Sequence, residues 1–183
     1  MSFIFEILFL IFVFTIVIQT FFALFFYLRL SFYKDDSNFF NKGVSVIICA
    51  KDEAEMLSHN LPSFLEQDYP NYEVIVVDDQ SIDSTKYVLK DFEKKYSNLK
   101  VISIDPHVNS RVGKKFALTL GIKTSKFDYL LLSDADCKPV SKNWITTMTS
   151  CFQTKDIVLG ISPYNKTKGI LNKLSFNIAY ICI

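Results

Sequence analysis

Two hydrophobic rhythms divide the chain. From Ile7 to Leu28 no position is charged, and only Thr15, Gln19 and Thr20 interrupt a run of aliphatic and aromatic side chains. A stretch apolar on every side predicts a helix surrounded by lipid rather than an amphipathic surface helix. At the helical rise it is about 33 Å long, enough to cross a hydrocarbon layer of about 30 Å. Beyond it, short apolar runs alternate with segments whose apolar residues recur every three or four positions. Val44–Cys49, Glu73–Val77, Lys100–Ile104 and Phe127–Leu132 predict strands, and Ile157–Leu159 a further short one. Asn60 with Pro62 predicts a helix N-terminus carrying Phe64 and Leu65, although Glu53 and Glu55 also suit a first helical turn. Ser84 predicts the cap of a helix that buries Val88, Leu89, Phe92 and Tyr96. Residues Gly113 to Lys123 and Trp144 to Phe152 read as helices, and Gly169–Ile183 as the start of an amphipathic or interfacial one. Strands alternating with helices predict an α/β domain with a mostly parallel sheet and right-handed crossovers.

The organisation that follows is a transmembrane anchor over 1–30, a juxtamembrane linker over 31–43, an α/β domain over 44–165, and a final helical start over 166–183. Arg29, Lys34 and Lys42 follow the span while Glu6 precedes it, so the positive-inside rule places the soluble part in the cytoplasm, at a single-pass membrane. No basic residue precedes the apolar core and no A-x-A site follows it, which disfavours a cleaved signal. Twenty basic against nineteen acidic residues leave a net charge of +1 in 183 residues, so no basic field points to nucleic acid. Cys49, Cys137, Cys151 and Cys182 show no CxxC spacing, and His59 and His107 are the only histidines. Neither a zinc site nor a disulfide framework follows.

In a parallel α/β sheet, ligands bind beyond the carboxyl ends of the strands. Strand one ends in Cys49-Ala50-Lys51-Asp52-Glu53, strand two in Asp78-Asp79-Gln80-Ser81, and strand four in Asp134-Ala135-Asp136. Three acidic clusters on one rim repel one another unless something compensates them. A divalent cation with a nucleotide does so, because Mg²⁺ or Mn²⁺ takes few protein carboxylates and completes its shell with ligand phosphates. The five glycines form no GxGxxG and no GxxxxGK[ST], and no GxSxG is present. Dinucleotide, P-loop and serine-hydrolase readings therefore lack their motifs.

The stretches VSVIICAKDEAEML, LEQDYPNYEVIVVDDQSIDST, GKKFALTLGI and YLLLSDADCKP, in this order, resemble family 2 glycosyltransferases of the GT-A fold, in particular bacterial membrane-anchored ones. The resemblance implies a nucleotide pocket lined by Cys49, Ala50, Asp52 and Glu53, with Asp79 contacting the base and Lys114 near the diphosphate. It implies a DxD motif with Asp136 as metal ligand, Asp134 at the ribose or the metal, and Ala135 between them. The cofactor implied is Mg²⁺ or Mn²⁺. The donor is a nucleotide sugar, UDP-sugar before GDP-sugar, and the acceptor a lipid or polysaccharide. Transfer is expected with inversion, which needs a general base. The family's downstream ED pair and Arg-Trp motif are missing, and after Asp136 the only carboxylate is Asp156. The chain is therefore expected to be a fragment that is inactive alone. The alternatives are a nucleotide-sugar-binding module without catalysis, and a nucleotidyltransferase with a similar acidic rim.

Overall fold

A computed structural model describes residues 2–31, 40–104, 113–153, 155–162 and 180–181. Met1–Asp36 and Ser37–Ile183 form two separate compact units. The first is a single helix, α1 (Ser2–Ser31). Its segment Phe3–Phe25 is long and apolar enough to cross a membrane. The hydroxyls of Thr15 and Thr20 donate to the carbonyls of Phe12 and Ile16 in the same helix, at 2.7 and 2.8 Å, so these polar groups are satisfied without water.

The second unit contains β1 (Val44–Ala50), α2 (Ala54–Leu65), β2 (Tyr72–Asp78), α3 (Thr85–Lys95), β3 (Leu99–Ser103), α4 (Lys114–Thr124), β4 (Tyr129–Asp134) and α5 (Trp144–Thr149). The four strands form one parallel sheet in the order β3-β2-β1-β4. Both faces of the central strands are buried, as their mostly β-branched apolar runs require. Val44, Val46 and Ile48 of β1 join Val74 and Val76 of β2 in one cluster with Leu57, Leu61 and Phe64 of α2 and Leu89 of α3. Ile75 and Val77 point the other way, toward Ala117, Phe116 and Leu120 of α4. Gly121 lets α4 lie close to β1. A Cβ there would fall 2.6 Å from Cγ2 of Ile47 and 3.3 Å from Cγ2 of Val77. Gly121→Val is therefore expected to cost about 3 kcal/mol, the upper part of the overpacking range, in a urea denaturation.

Several boundaries differ from the sequence expectation. The first domain helix starts at Ala54, not Asn60, and holds Pro62 in its interior. An interior proline costs about 3 kcal/mol, but Leu57, Leu61, Phe64 and Leu65 are all buried along one stripe and outweigh it. Ser84 occupies the N-cap of α3 without a side-chain cap bond. The carboxylate of Asp83 takes that part, accepting the Thr85 N–H at 2.9 Å. The last domain helix stops at Thr149 and continues as a 3₁₀ turn over Ser150–Gln153. Ile157–Leu159 is not a strand: Ile157 is 79% exposed and Leu159 43%, so the run buries too little to hold one. A two-residue strand, β5 (Ile161–Ser162), instead pairs antiparallel with β6 (Tyr180–Ile181). Those last two residues are thus extended where a helix was expected, and the rest of 166–183 lies outside the described residues.

The expected linker also shortens at its end. Phe40 is buried, with its ring centroid 4.6 Å from that of Tyr129 and 5.7 Å from that of Phe152. The Tyr69 hydroxyl lies 2.8 Å from the Phe40 carbonyl and 2.7 Å from that of Lys42, sharing its proton between them. Residues 40–43 therefore pack as part of the domain, while 32–39 lie outside the described residues.

Candidate functional site

The register brings the strand ends level. Ala50 is opposite Asp78, and Cys49 is opposite Asp134. Asp78 and Asp134 are thus the last residues of their strands, and the loops that follow open on one rim. After β2 the Asp79 N–H donates to the Ala50 carbonyl at 2.8 Å, keeping Asp79 beside the end of β1. After β4 the Cys137 N–H donates to the Asp134 carbonyl at 3.2 Å, closing a turn around Ala135 and Asp136. Asn60 of α2 holds that turn, its amide donating to the Ala135 carbonyl at 3.1 Å.

Between these loops lies a cleft of about 380 Å³. The loop after β1 supplies Cys49, Ala50, Lys51 and Glu53, and the loop after β2 supplies Asp79. Gly113 and Lys114 enter from the start of α4, and Asp134, Ala135 and Asp136 close the other side. The residues expected from the sequence thus come together, except Asp52. Asp52 has a φ of 55° and does not line the cleft; its Oδ1 accepts the Ile82 N–H at 2.7 Å. Lys51 falls inside the stretch from Cys49 to Glu53 read as the pocket wall, whereas Gly113 was not foreseen. Lys51 stands within the same acidic loop, and Gly113 begins the GKK stretch. Its φ of 141° is a conformation open to glycine, which lets the chain turn into α4 at the cleft wall.

The charges are unevenly compensated. Lys114 Nζ donates to Asp134 Oδ1 at 2.6 Å, with both side chains more than half exposed. That hydrogen bond holds the Lys114 ammonium above the ordinary lysine range, so it is cationic at neutral pH. Asp136 is exposed and makes no ion pair among the described residues. Asp79 is 5% exposed, and its Oδ1 is buried without a hydrogen-bond partner among the described residues. A buried acceptor left unmade costs about 1–3 kcal/mol, so this oxygen is poised for a donor from outside the protein. Burial pushes the Cys49 thiol up, against the opposing pull of Lys114. A neutral thiol is a poor nucleophile, and Cys49 acts here as a wall.

Among the described residues no three metal-ligating side chains gather. The two carboxylates of the turn after β4, Asp134 and Asp136, fit a cation of the Mg²⁺ type, which needs one or two carboxylates when phosphates and waters complete its shell. They do not fit a structural zinc site.

Gln80 adds strain beside the cleft. Its φ is 60°, and its Nε2 is buried without a partner among the described residues. A non-glycine residue in the left-handed region costs about 1–2 kcal/mol. Gln80→Gly is expected to raise stability by about 1 kcal/mol in a urea denaturation, since glycine removes both the strain and the orphaned amide.

The family model described as Glycosyl transferase family 2 matches residues 45–179. A glycosyltransferase of Methanococcus voltae, named dolichyl N-acetyl-alpha-D-glucosaminyl phosphate 3-beta-D-2,3-diacetamido-2,3-dideoxy-beta-D-glucuronosyltransferase, is 29% identical over 143 residues. That match covers 74% of this chain and 41% of the relative. The poly-beta-1,6-N-acetyl-D-glucosamine synthase of Staphylococcus epidermidis is 34% identical over 95 residues, which is 52% of this chain and 22% of that one. The chain thus spans less than half the length of these relatives. A mannosyltransferase from Pyrobaculum calidifontis, solved with GDP-Man and Mn²⁺, shares the fold with a TM-score of 0.58 at 23% identity, over 69% of this chain and 39% of its own.

Proposed function

The chain belongs to glycosyl transferase family 2, and from that premise we propose that its cleft binds the nucleotide-diphosphate sugar from which a sugar is transferred, with inversion, to an acceptor hydroxyl. The observation that carries the reading is the buried, unpartnered Oδ1 of Asp79 in one cleft with Lys114, Asp134 and Asp136. Asp79 accepts an N–H of the nucleobase. Lys114 lies where an ammonium offsets diphosphate charge, and it can exchange Asp134 for a phosphate oxygen. Asp136, with Asp134, would hold Mg²⁺ or Mn²⁺. When bound, the cation supplies Lewis-acid stabilisation of the leaving diphosphate. Cys49, Ala50, Lys51 and Glu53 form the wall beside the nucleoside. UDP-sugar is the first donor to test and GDP-sugar the second.

The acceptor is a lipid or polysaccharide at a membrane. α1 anchors the protein there, with the domain in the cytoplasm. Its uncharged length and the basic residues that follow support this placement.

A second reading has its own observation. An inverting displacement needs a base at the acceptor hydroxyl. Asp156, the only carboxylate after Asp136, is exposed and does not line the cleft. On this reading the described residues of the cleft serve donor binding, and Asp156 is not the base.

The test uses the full chain in detergent with UDP-glucose, GDP-mannose and ATP, each with Mn²⁺. The expected result is saturable binding of a diphospho-sugar with no sugar transfer. Sugar transfer by this chain would overturn the second reading. Consumption of ATP without binding of either sugar nucleotide would replace the proposal with nucleotidyl transfer.

A further inference from the structure

One side of the cleft is set by two loops, 51–53 after β1 and 79–84 after β2, which bring Lys51, Glu53 and Asp79 to it, and neither loop belongs to a regular element. What fixes one against the other is a set of cross-loop hydrogen bonds centred on a residue outside the cleft. The carboxylate of Asp83 accepts the Ala54 N–H on Oδ2 at 3.2 Å and the Thr85 N–H on Oδ1 at 2.9 Å. These are the first residues of α2 and α3, so one side chain caps two helices that lead away from the cleft. The Thr85 hydroxyl accepts the Glu53 N–H at 3.0 Å. In the reverse direction, the Ser81 hydroxyl accepts the Asp52 N–H at 2.9 Å, and Asp52 Oδ1 accepts the Ile82 N–H at 2.7 Å.

We infer that Asp83 is a positioning residue for the donor site, bridging the two loops so that Lys51 and Glu53 are held in register with Asp79. The inference rests on the donor-binding reading above. A carboxylate suits the task because both its oxygens accept, and both face the positive ends of helices. An amide presents one acceptor and one donor, so asparagine keeps one link and breaks the bridge. Hydrogen bonding with Thr85 holds the Asp83 carboxyl below the usual carboxylate range, which keeps it an acceptor at neutral pH. Asp52 acts in the same bridge, which is why its side chain is engaged by Ile82 rather than facing the cleft.

The experiment compares the full-length wild type with Asp83→Asn, Thr85→Val and Leu99→Ala. UDP affinity with Mn²⁺ is measured at a temperature where every variant is folded, alongside amide hydrogen exchange. Leu99 is a core residue at the amino end of β3, opposite the rim, and its truncation controls for destabilisation alone. Asp83→Asn is expected to weaken UDP binding about tenfold, the loss of a charge-assisted pair, and to speed exchange at Glu53 and Ala54. Thr85→Val cuts one link, is expected to weaken binding about threefold, and replaces Asp83→Asn if that variant fails to fold. Leu99→Ala should leave the affinity of the folded protein unchanged. Wild-type affinity in folded Asp83→Asn would overturn the inference. If the wild type bound neither UDP nor GDP, the donor-binding reading would fall instead. Exchange would then decide the bridge: unchanged protection at Glu53 and Ala54 in Asp83→Asn would overturn that too.

Discussion

Asp136→Asn is expected to remove most of the gain in nucleoside diphosphate affinity that a divalent cation brings, a loss of tenfold or more, with little change in stability. Two carboxylates flank Ala135 in the turn after β4, and the structure makes them unequal. Asp134 is already neutralised by Lys114 at 2.6 Å. Asp136 is exposed and makes no direct ion pair among the described residues, so it is the carboxylate freer to meet a cation. A cation that binds through one or two carboxylates and a diphosphate loses about half its protein donors when one becomes an amide. Because Asp136 is solvated in the free protein, its neutralisation should shift stability by less than about 0.5 kcal/mol. Titrations of UDP with and without Mn²⁺, on wild type and variant, measure both effects. The variant should respond weakly to Mn²⁺, and its metal-free affinity should match that of the wild type.

Asp79→Asn is expected to move stability and binding in opposite directions. The Asp79 carboxylate is buried, and its Oδ1 finds no donor among the described residues. Asparagine keeps the shape and the acceptor but removes the buried charge, so the free protein should become more stable, by about 1 kcal/mol. The nucleobase N–H then meets a neutral acceptor instead of a charged one, and charge-assisted hydrogen bonds are roughly twice as strong. Affinity for UDP should fall about tenfold. A structural carboxylate would do the reverse, losing stability on substitution while binding held. Melting temperature and UDP affinity on one preparation separate the two.

What could be read from the sequence depended on whether the signal was local. The runs VSVIIC and EVIVV are apolar at all positions but Ser45 and Glu73, and the burial of the rest on both sheet faces follows directly. Asp79, Asp134, Asp136 and Lys114 were legible because each stands at the end of a strand or the start of a helix. The topology then brings such ends to one rim. Hydrogen bonds between distant loops left no such trace. Asp83 looks like any turn residue beside Ser84, and its role needs Ala54, nearly thirty positions away, to come alongside. Asp52 was placed in the pocket by its neighbours, while its side chain turns to Ile82. Pro62 pulled the predicted helix start too far along the chain, because local backbone preference speaks for one residue and the stripe from Leu57 to Leu65 speaks for four. The short run at Ile157 had apolar character but nothing to bury against.

The central claim is that the rim of this sheet is a metal-assisted site for a nucleoside diphosphate. Calorimetric titration of UDP, then GDP, into the full chain tests it most directly, once with Mn²⁺ and once with a chelator. The account predicts saturable binding of one of the two at a single site, at least tenfold tighter with Mn²⁺. Binding of neither, or equal binding in metal and chelator, would contradict it.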